Sequence, residues 1–200
     1  MKPDDVAAHI QNEVKRRDPA RFVATLFAPE AERRALLALY ALDGELRHIP
    51  EAAREAMIAA MRYQWWRDAV ARLPEPSRGH PVLDALSAAV SAGTLDTVSL
   101  VGIVDAREAG AGESEVITAA ARVLGAAVGA NALATAAAAA LETGDRAKLA
   151  EARLLWRAER RARKGELPAY LPATYIDAKH PVTQTRLYGR ALWMAMRNRF

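Results

Sequence analysis

The chain predicts an all-α fold, on three observations. Its 200 residues are 52% hydrophobic but only 6% aromatic. Much of the apolar content is alanine, the best helix former and a small core filler. Apolar residues recur at three- and four-residue spacings, long β-branched runs are absent, and prolines and glycines punctuate the periodic stretches. Such a composition suits closely packed helices rather than a sheet. The length suits one domain over residues 1–200 with a single core.

Taken in order, Pro3, Asp4 and Asp5 open a short polar helix that ends near Arg17-Asp18-Pro19. Pro29 is placed as the first residue of the next helix, and Glu30 and Glu32 complement its N-terminal dipole. Leu36, Leu39, Tyr40, Leu42 and Leu46 form its apolar stripe. Pro50, with no amide to donate, predicts a break. A second helix is expected over about residues 51–73, burying Met57, Ile58, Met61, Trp65, Ala69 and Leu73. Trp65 and Trp66 face about 100° apart, so one is expected in the core and the other toward a cavity.

Residues 73–81, dense in proline and glycine, read as a loop. Helices follow over roughly 81–92 and 95–109, with a break at Gly110-Ala111-Gly112. Residues 113–141 read as one long alanine-rich helix. Gly125 and Gly129 within it, four apart, would let a neighbour approach closely and make it central to the bundle. Gly144 is placed to cap its end. Residues 145–164 form a basic amphipathic helix, 165–175 an extended proline-pinned connector, and 182–200 a final helix.

Several function classes are excluded. The chain has no cysteine, hence no disulfide and no thiolate metal site. His9, His48, His80 and His180 are scattered without ligand spacing, so no metal site is predicted. There is no P-loop, no GxGxxG and no GxSxG. The N-terminal residues carry no apolar signal-peptide core. The longest apolar run, residues 126–141, falls short of the roughly 20 residues that span a bilayer. The expectation is a cytoplasmic protein, soluble or peripheral at the inner membrane.

Charge is uneven. Residues 146–200 hold 13 Lys/Arg against 4 Asp/Glu, a net of +9, while the whole chain is +4. Arg153, Arg157, Arg160, Arg161 and Lys164 fall on one side of the basic helix, with Leu154, Leu155 and Trp156 around its edge. That pattern suits an anionic membrane surface or an acidic partner, and equally an ordinary surface helix whose arginine stems cover apolar area. No aromatic stacking platform accompanies it, so nucleic acid is not expected.

Four stretches in order resemble the squalene/phytoene synthase family of head-to-head prenyltransferases: RFVATLFAPEAERRALLALYAL, MRYQWWRDAV, LVGIVDAREAG and RKGELPAYLPATY. They span about residues 21–175. The resemblance implies the isoprenoid synthase helical bundle around a central cavity. The chain ends at Phe200, short of the family's usual length, so the bundle is expected to be truncated at its C-terminal end.

In the family's enzymes, two aspartate-rich motifs face each other and hold Mg²⁺, which neutralises the departing diphosphate. Carboxylates at i and i+4 share a helix face, hence the Asp-x-x-x-Asp spacing. The first motif is implied about seven residues after the tyrosine that matches Tyr40. Here those positions are Arg47 and Glu51, just past Pro50. Asp43 and Glu45 lie about 200° apart on a helix and cannot make one metal face. The second motif, before the YLP element, is replaced by arginines around Glu159 and Glu166. Glu51–Glu55 and Asp105–Glu108 read as solvated pairs.

No catalytic residue and no cofactor is therefore predicted. Asp43-Gly44-Glu45 loosely fits a divergent branch of the same family that includes an assembly factor for respiratory complex I. That resemblance implies a non-catalytic, membrane-peripheral assembly or binding factor with a membrane-complex subunit as partner. Tyr40, Asp43, Arg47, Gln64 and Arg67 are candidate lining groups of a residual cavity for a prenyl or lipid tail. A contact of Asp43 with Arg47 would instead mark a helix-surface ion pair. The alternatives are a Mg²⁺-dependent prenyltransferase with unfamiliar carboxylates and a basic helical adaptor binding an acidic partner.

Overall fold

A computed structural model describes residues 3–53, 55–75, 79–126, 131–159, 166–170, 172, 188, 189, 192–194 and 196. The elements are α1 (Pro3–Arg17), α2 (Pro19–Thr25), α3 (Glu30–Ala52), α4 (Ala56–Ala71), α5 (Pro81–Ser91), α6 (Thr97–Glu108), α7 (Glu113–Val123), α8 (Asn131–Thr143), α9 (Arg146–Glu159) and α10 (Leu167–Tyr170). No strand occurs among the described residues. The architecture is the all-α bundle that composition and spacing predict.

α1 has acids in its first turn and Lys15, Arg16 and Arg17 in its last, the arrangement that complements the helix dipole. Val6, Ile10 and Val14, four apart, are its buried face. Asp18 then does two things. Its amide bonds back to the Val14 carbonyl at 2.8 Å, and its side chain caps α2 by accepting from the Arg21 amide at 3.0 Å. The short helix α2 was not evident in the sequence.

α3 is the axis of the bundle. It is buried almost without interruption from Ala35 to Gly44, and it packs against α1, α2, α4, α5, α6 and α7. A helix apolar on nearly every side belongs in the interior. It starts one residue later than expected, with Pro29 as its N-cap. It also continues through Pro50, contrary to the predicted break, and ends at Ala52. Proline removes the amide that would bond the Leu46 carbonyl. That carbonyl accepts from the Tyr63 hydroxyl of α4 instead, at 3.3 Å. A side chain from the next helix thus replaces the missing donor.

The predicted buried stripe of α4 is largely inverted. Tyr63, Trp66 and Val70 face inward, with Leu73 buried just beyond. Met57, Ile58, Met61 and Trp65 face solvent. Apolar residues occupy both faces of this helix, so periodicity alone could not say which face packs.

The long helix predicted over residues 113–141 is two helices, α7 and α8. Gly125 stands at φ +89° and closes α7. Its amide bonds the Arg122 carbonyl at 2.9 Å, and the Ala126 amide reaches the Ala121 carbonyl at 2.9 Å. This is a Schellman C-cap, which glycine's left-handed backbone makes cheap. Gly129 lies outside the described residues. Ala134, Ala136, Ala137, Ala138 and Ala140 of α8 are buried, and α8 packs on α7 and α9.

Asp145 caps α9 by accepting from the Ala147 amide at 2.7 Å. Trp156, expected at a membrane-facing edge, is instead 1% exposed and packs on Tyr170 with ring centroids 5.7 Å apart. Burying an aromatic of that size contributes on the order of 2–3 kcal/mol. Part of the connector predicted as extended forms α10. Of the final predicted helix, residues 188, 189, 192–194 and 196 are described, and all are helical.

Candidate functional site

Where α2, α3, α6 and α7 meet, four charged side chains form a closed ring in the interior. Asp43 of α3 is 0% exposed and Arg21 of α2 is 3% exposed. Arg21 donates from one terminal nitrogen to Asp43 and from the other to Glu113 of α7. Arg107 of α6 completes the circuit. Its Nε donates to Asp43 Oδ1 at 2.7 Å and its Nη2 to Glu113 Oε1 at 2.8 Å. Each carboxylate is gripped by two guanidiniums.

Arg47 joins from the rim, with Nε 3.3 Å from Asp43 Oδ2 and Nη2 3.1 Å from Asp18 Oδ2. The Asp43–Arg47 contact therefore exists, but its carboxylate lies in the core rather than on a helix surface. The Arg21 guanidinium also lies 5.1 Å from the centre of the Tyr40 ring, near enough for a cation–π contact.

Local structure places these groups. The Asp18 cap starts α2 so that Arg21, one turn in, points at α3. Glu113 is the first residue of α7, where a carboxylate complements the helix dipole. Gly112 precedes it at φ +114°, and a Cβ there would stand 2.9 Å from Cδ of Arg107. Glycine is needed twice over: for the backbone angle, and to let the Arg107 stem pass.

The electrostatics follow from the ring. Burial pushes the Asp43 carboxyl upward, but Arg21, Arg107 and Arg47 outweigh burial and hold it below the usual carboxylate range. Burial works against the Arg21 cation, yet Asp43 and Glu113 keep it protonated at any accessible pH. The Tyr40 phenol is pushed well up by burial.

The predicted lining residues are only partly brought together. Tyr40 and Arg47 share a surface hollow of about 360 Å³ between α1, α3 and α5, with Arg17, Gly44 and His80 among its other walls. Asp43 is sealed in the ring. Gln64 and Arg67 stand on another face, where Arg67 reaches Asp105 at 2.7 Å, Glu108 at 2.5 Å and Gln64 at 2.7 Å. Asp105 and Glu108 are exposed, as expected of a solvated pair, and both also meet Arg67 across the α4–α6 contact.

Of the two candidate metal positions, Arg47 is committed to Asp18 and Asp43, and the exposed Glu51 bonds His48 at 3.1 Å. Glu45 points outward to Arg17 at 2.8 Å. Glu166 is 6% exposed and lies 3.5 Å from the Tyr170 hydroxyl. Among the described residues no group of three or more His, Asp or Glu side chains is placed to hold a metal ion. Arg153 is half-buried and Arg157 exposed on α9. Arg160, Arg161 and Lys164 lie outside the described residues. No described helix is long and apolar enough to cross a membrane.

The described residues form an all-α bundle around the interior helix α3. The chain belongs to the squalene/phytoene synthase family, whose family model matches residues 14–190. It is similar to a Drosophila melanogaster protein, the NADH dehydrogenase (ubiquinone) complex I, assembly factor 6 homolog, at 33% identity over 109 residues. That match covers 51% of this chain and 33% of the fly protein, so the chain spans about a third of its relative's length. No solved structure matches the chain significantly.

Proposed function

We propose that this protein is a non-catalytic squalene/phytoene synthase-like protein, acting as a membrane-peripheral assembly or binding factor for a respiratory complex. One observation carries the first half. Of the interior carboxylates, Asp43 is held by three guanidiniums and Glu113 by two. A Mg²⁺–diphosphate site needs carboxylates free to take hard cations. Here the donors are already neutralised, a cation stands at position 47, and the residues do not fit the metal. The second half draws on the fly relative, whose printed name is that of a complex I assembly factor homolog.

The test is diphosphate release from farnesyl and geranylgeranyl diphosphate, with Mg²⁺ and then with EDTA, on protein shown to be folded by its thermal melt. The expected result is no turnover above a heat-killed control. Metal-dependent turnover would sink the non-catalytic reading. Affinity capture from solubilised membranes tests the partner, and recovery of a respiratory-complex subunit is the expected outcome.

A further inference from the structure

A second hollow, of about 230 Å³, opens between the end of α3, the middle of α4 and the start of α5. It adjoins the hollow beside Tyr40, with Glu45 and His80 as shared walls. Three aromatic rings build one side of it. Trp65 and Trp66 stand with centroids 5.0 Å apart and planes at 80°. His80 lies 5.1 Å from Trp66 and 5.7 Å from Trp65. Edge-to-face contacts at such separations are favourable and fix the plane of each ring. Trp66 is buried, whereas Trp65 keeps half of its surface open. One flat indole face is therefore held in place and left uncovered.

The polar walls differ in what they have left to offer. Glu45 meets Arg17 at 2.8 Å, and His48 meets Glu51 at 3.1 Å. Arg62 is exposed and has no carboxylate within ion-pair distance among the described residues. Asp68 accepts from Gln64 at 2.8 Å, Glu55 stands at the N-cap of α4, and neither lines the hollow. Arg62 and Trp65 are three residues apart on α4, so they project side by side.

We propose that this hollow is a binding site for a small aromatic carboxylate, its ring laid on Trp65 and its carboxylate on the Arg62 fork. Size, shape and charge each narrow the class. An apolar cavity of roughly 150 Å³ takes benzene, so the present volume admits one ring or a fused pair with a short substituent. The open indole face favours a flat partner. A guanidinium presents parallel N–H donors that match a carboxylate. A monoanion balances the single Arg62 cation, whereas a diphosphate would leave charge unmatched. The site lies apart from the interior carboxylates and does not depend on the non-catalytic reading.

The experiment is a ligand-observed NMR titration of the full chain with 2-naphthoate. It is run beside 2-naphthylmethylamine, which has the same rings and the opposite charge, and cyclohexanecarboxylate, which has the charge and no flat face. 2-Naphthoate is expected to bind at least about fivefold more tightly than either. Trp65→Leu and Arg62→Gln, each shown to fold by its thermal melt, are expected to weaken it about threefold to tenfold. Arg72→Gln, at the end of the same helix and outside the hollow, is expected to stay within about twofold of the parent.

No binding of 2-naphthoate at millimolar concentration would overturn the site. Equal binding of the amine, or undiminished binding by Arg62→Gln, would overturn the carboxylate assignment. Equal binding of cyclohexanecarboxylate, or undiminished binding by Trp65→Leu, would overturn the stacking on Trp65. None of these outcomes touches diphosphate turnover or partner capture, so this site and the function proposed above stand or fall separately.

Discussion

Arg107 and Asp43 lie 64 positions apart in the chain, yet Nε of one stands 2.7 Å from Oδ1 of the other. The contact ties α6 to the axial helix one turn before Arg47, the position at which the family resemblance implies the first metal motif. Breaking a buried pair by removing one partner leaves a desolvated charge, at a cost of about 3–5 kcal/mol. Asp43→Ala is expected to lose that much stability, read from the urea midpoint, because it leaves the Arg21 and Arg107 guanidiniums with Glu113 as their one shared carboxylate in the ring.

Stability should also depend on acid in a defined way. The folded Asp43 carboxyl titrates below its ordinary value of 3.8. The unfolded state therefore binds a proton first as pH falls. The stabilisation is fully present above the ordinary value and is lost as pH drops through the lower, folded one. Thermal melts from pH 6 down to 3 should show the parent losing stability more steeply than Asp43→Asn.

Gly112 should resist substitution. Gly112→Ala places a β-carbon at φ +114° and against the Arg107 stem, so a loss of more than about 1 kcal/mol is expected. For a chain of this length that lowers the melting temperature by roughly 2–4 °C per kcal/mol. The loss should shrink in an Arg107→Ala background, since the steric part vanishes there and the backbone part remains.

Tyr63 and Pro50 should be coupled through the Leu46 carbonyl that both concern. Tyr63→Phe leaves that buried acceptor unsatisfied, at about 1–2 kcal/mol. In a Pro50→Ala background the helix amide is restored, and the cost of Tyr63→Phe should fall toward zero. Equal costs in the two backgrounds, measured by denaturant melts, would show that the hydroxyl contributes nothing to the acceptor.

Much of the fold was legible because local chemistry dictates it. Asp4 and Asp5 open α1, glycines close helices, and the Leu36-to-Leu46 stripe marks an interior helix. Two failures have different causes. The division between α7 and α8 lay in a local signal, Gly125, which closes a helix as well as it admits a neighbour. The buried face of α4 depends on which neighbour packs where, and periodicity does not contain that. The same limit hid most of the ring. Asp43, an acid within an apolar stripe, reads as a cavity-lining group or as half of a helix-surface pair with Arg47. Arg21, Arg107 and Glu113 are remote in sequence and each, alone, reads as an ordinary surface charge. Membership of the family, by contrast, lies in contiguous segments such as MRYQWWRDAV and needs no tertiary information.

The interior cluster and its rim set three guanidiniums, of Arg21, Arg47 and Arg107, against three carboxylates, of Asp18, Asp43 and Glu113. That parity bears on which substitutions the interior tolerates. Exchanging one cation for an acid, as in Arg47→Asp, shifts the sum by two charges and sets like charges four residues apart on one helix. A metal-binding interior is therefore reached only by several simultaneous changes that keep the charges balanced, not by a single exchange.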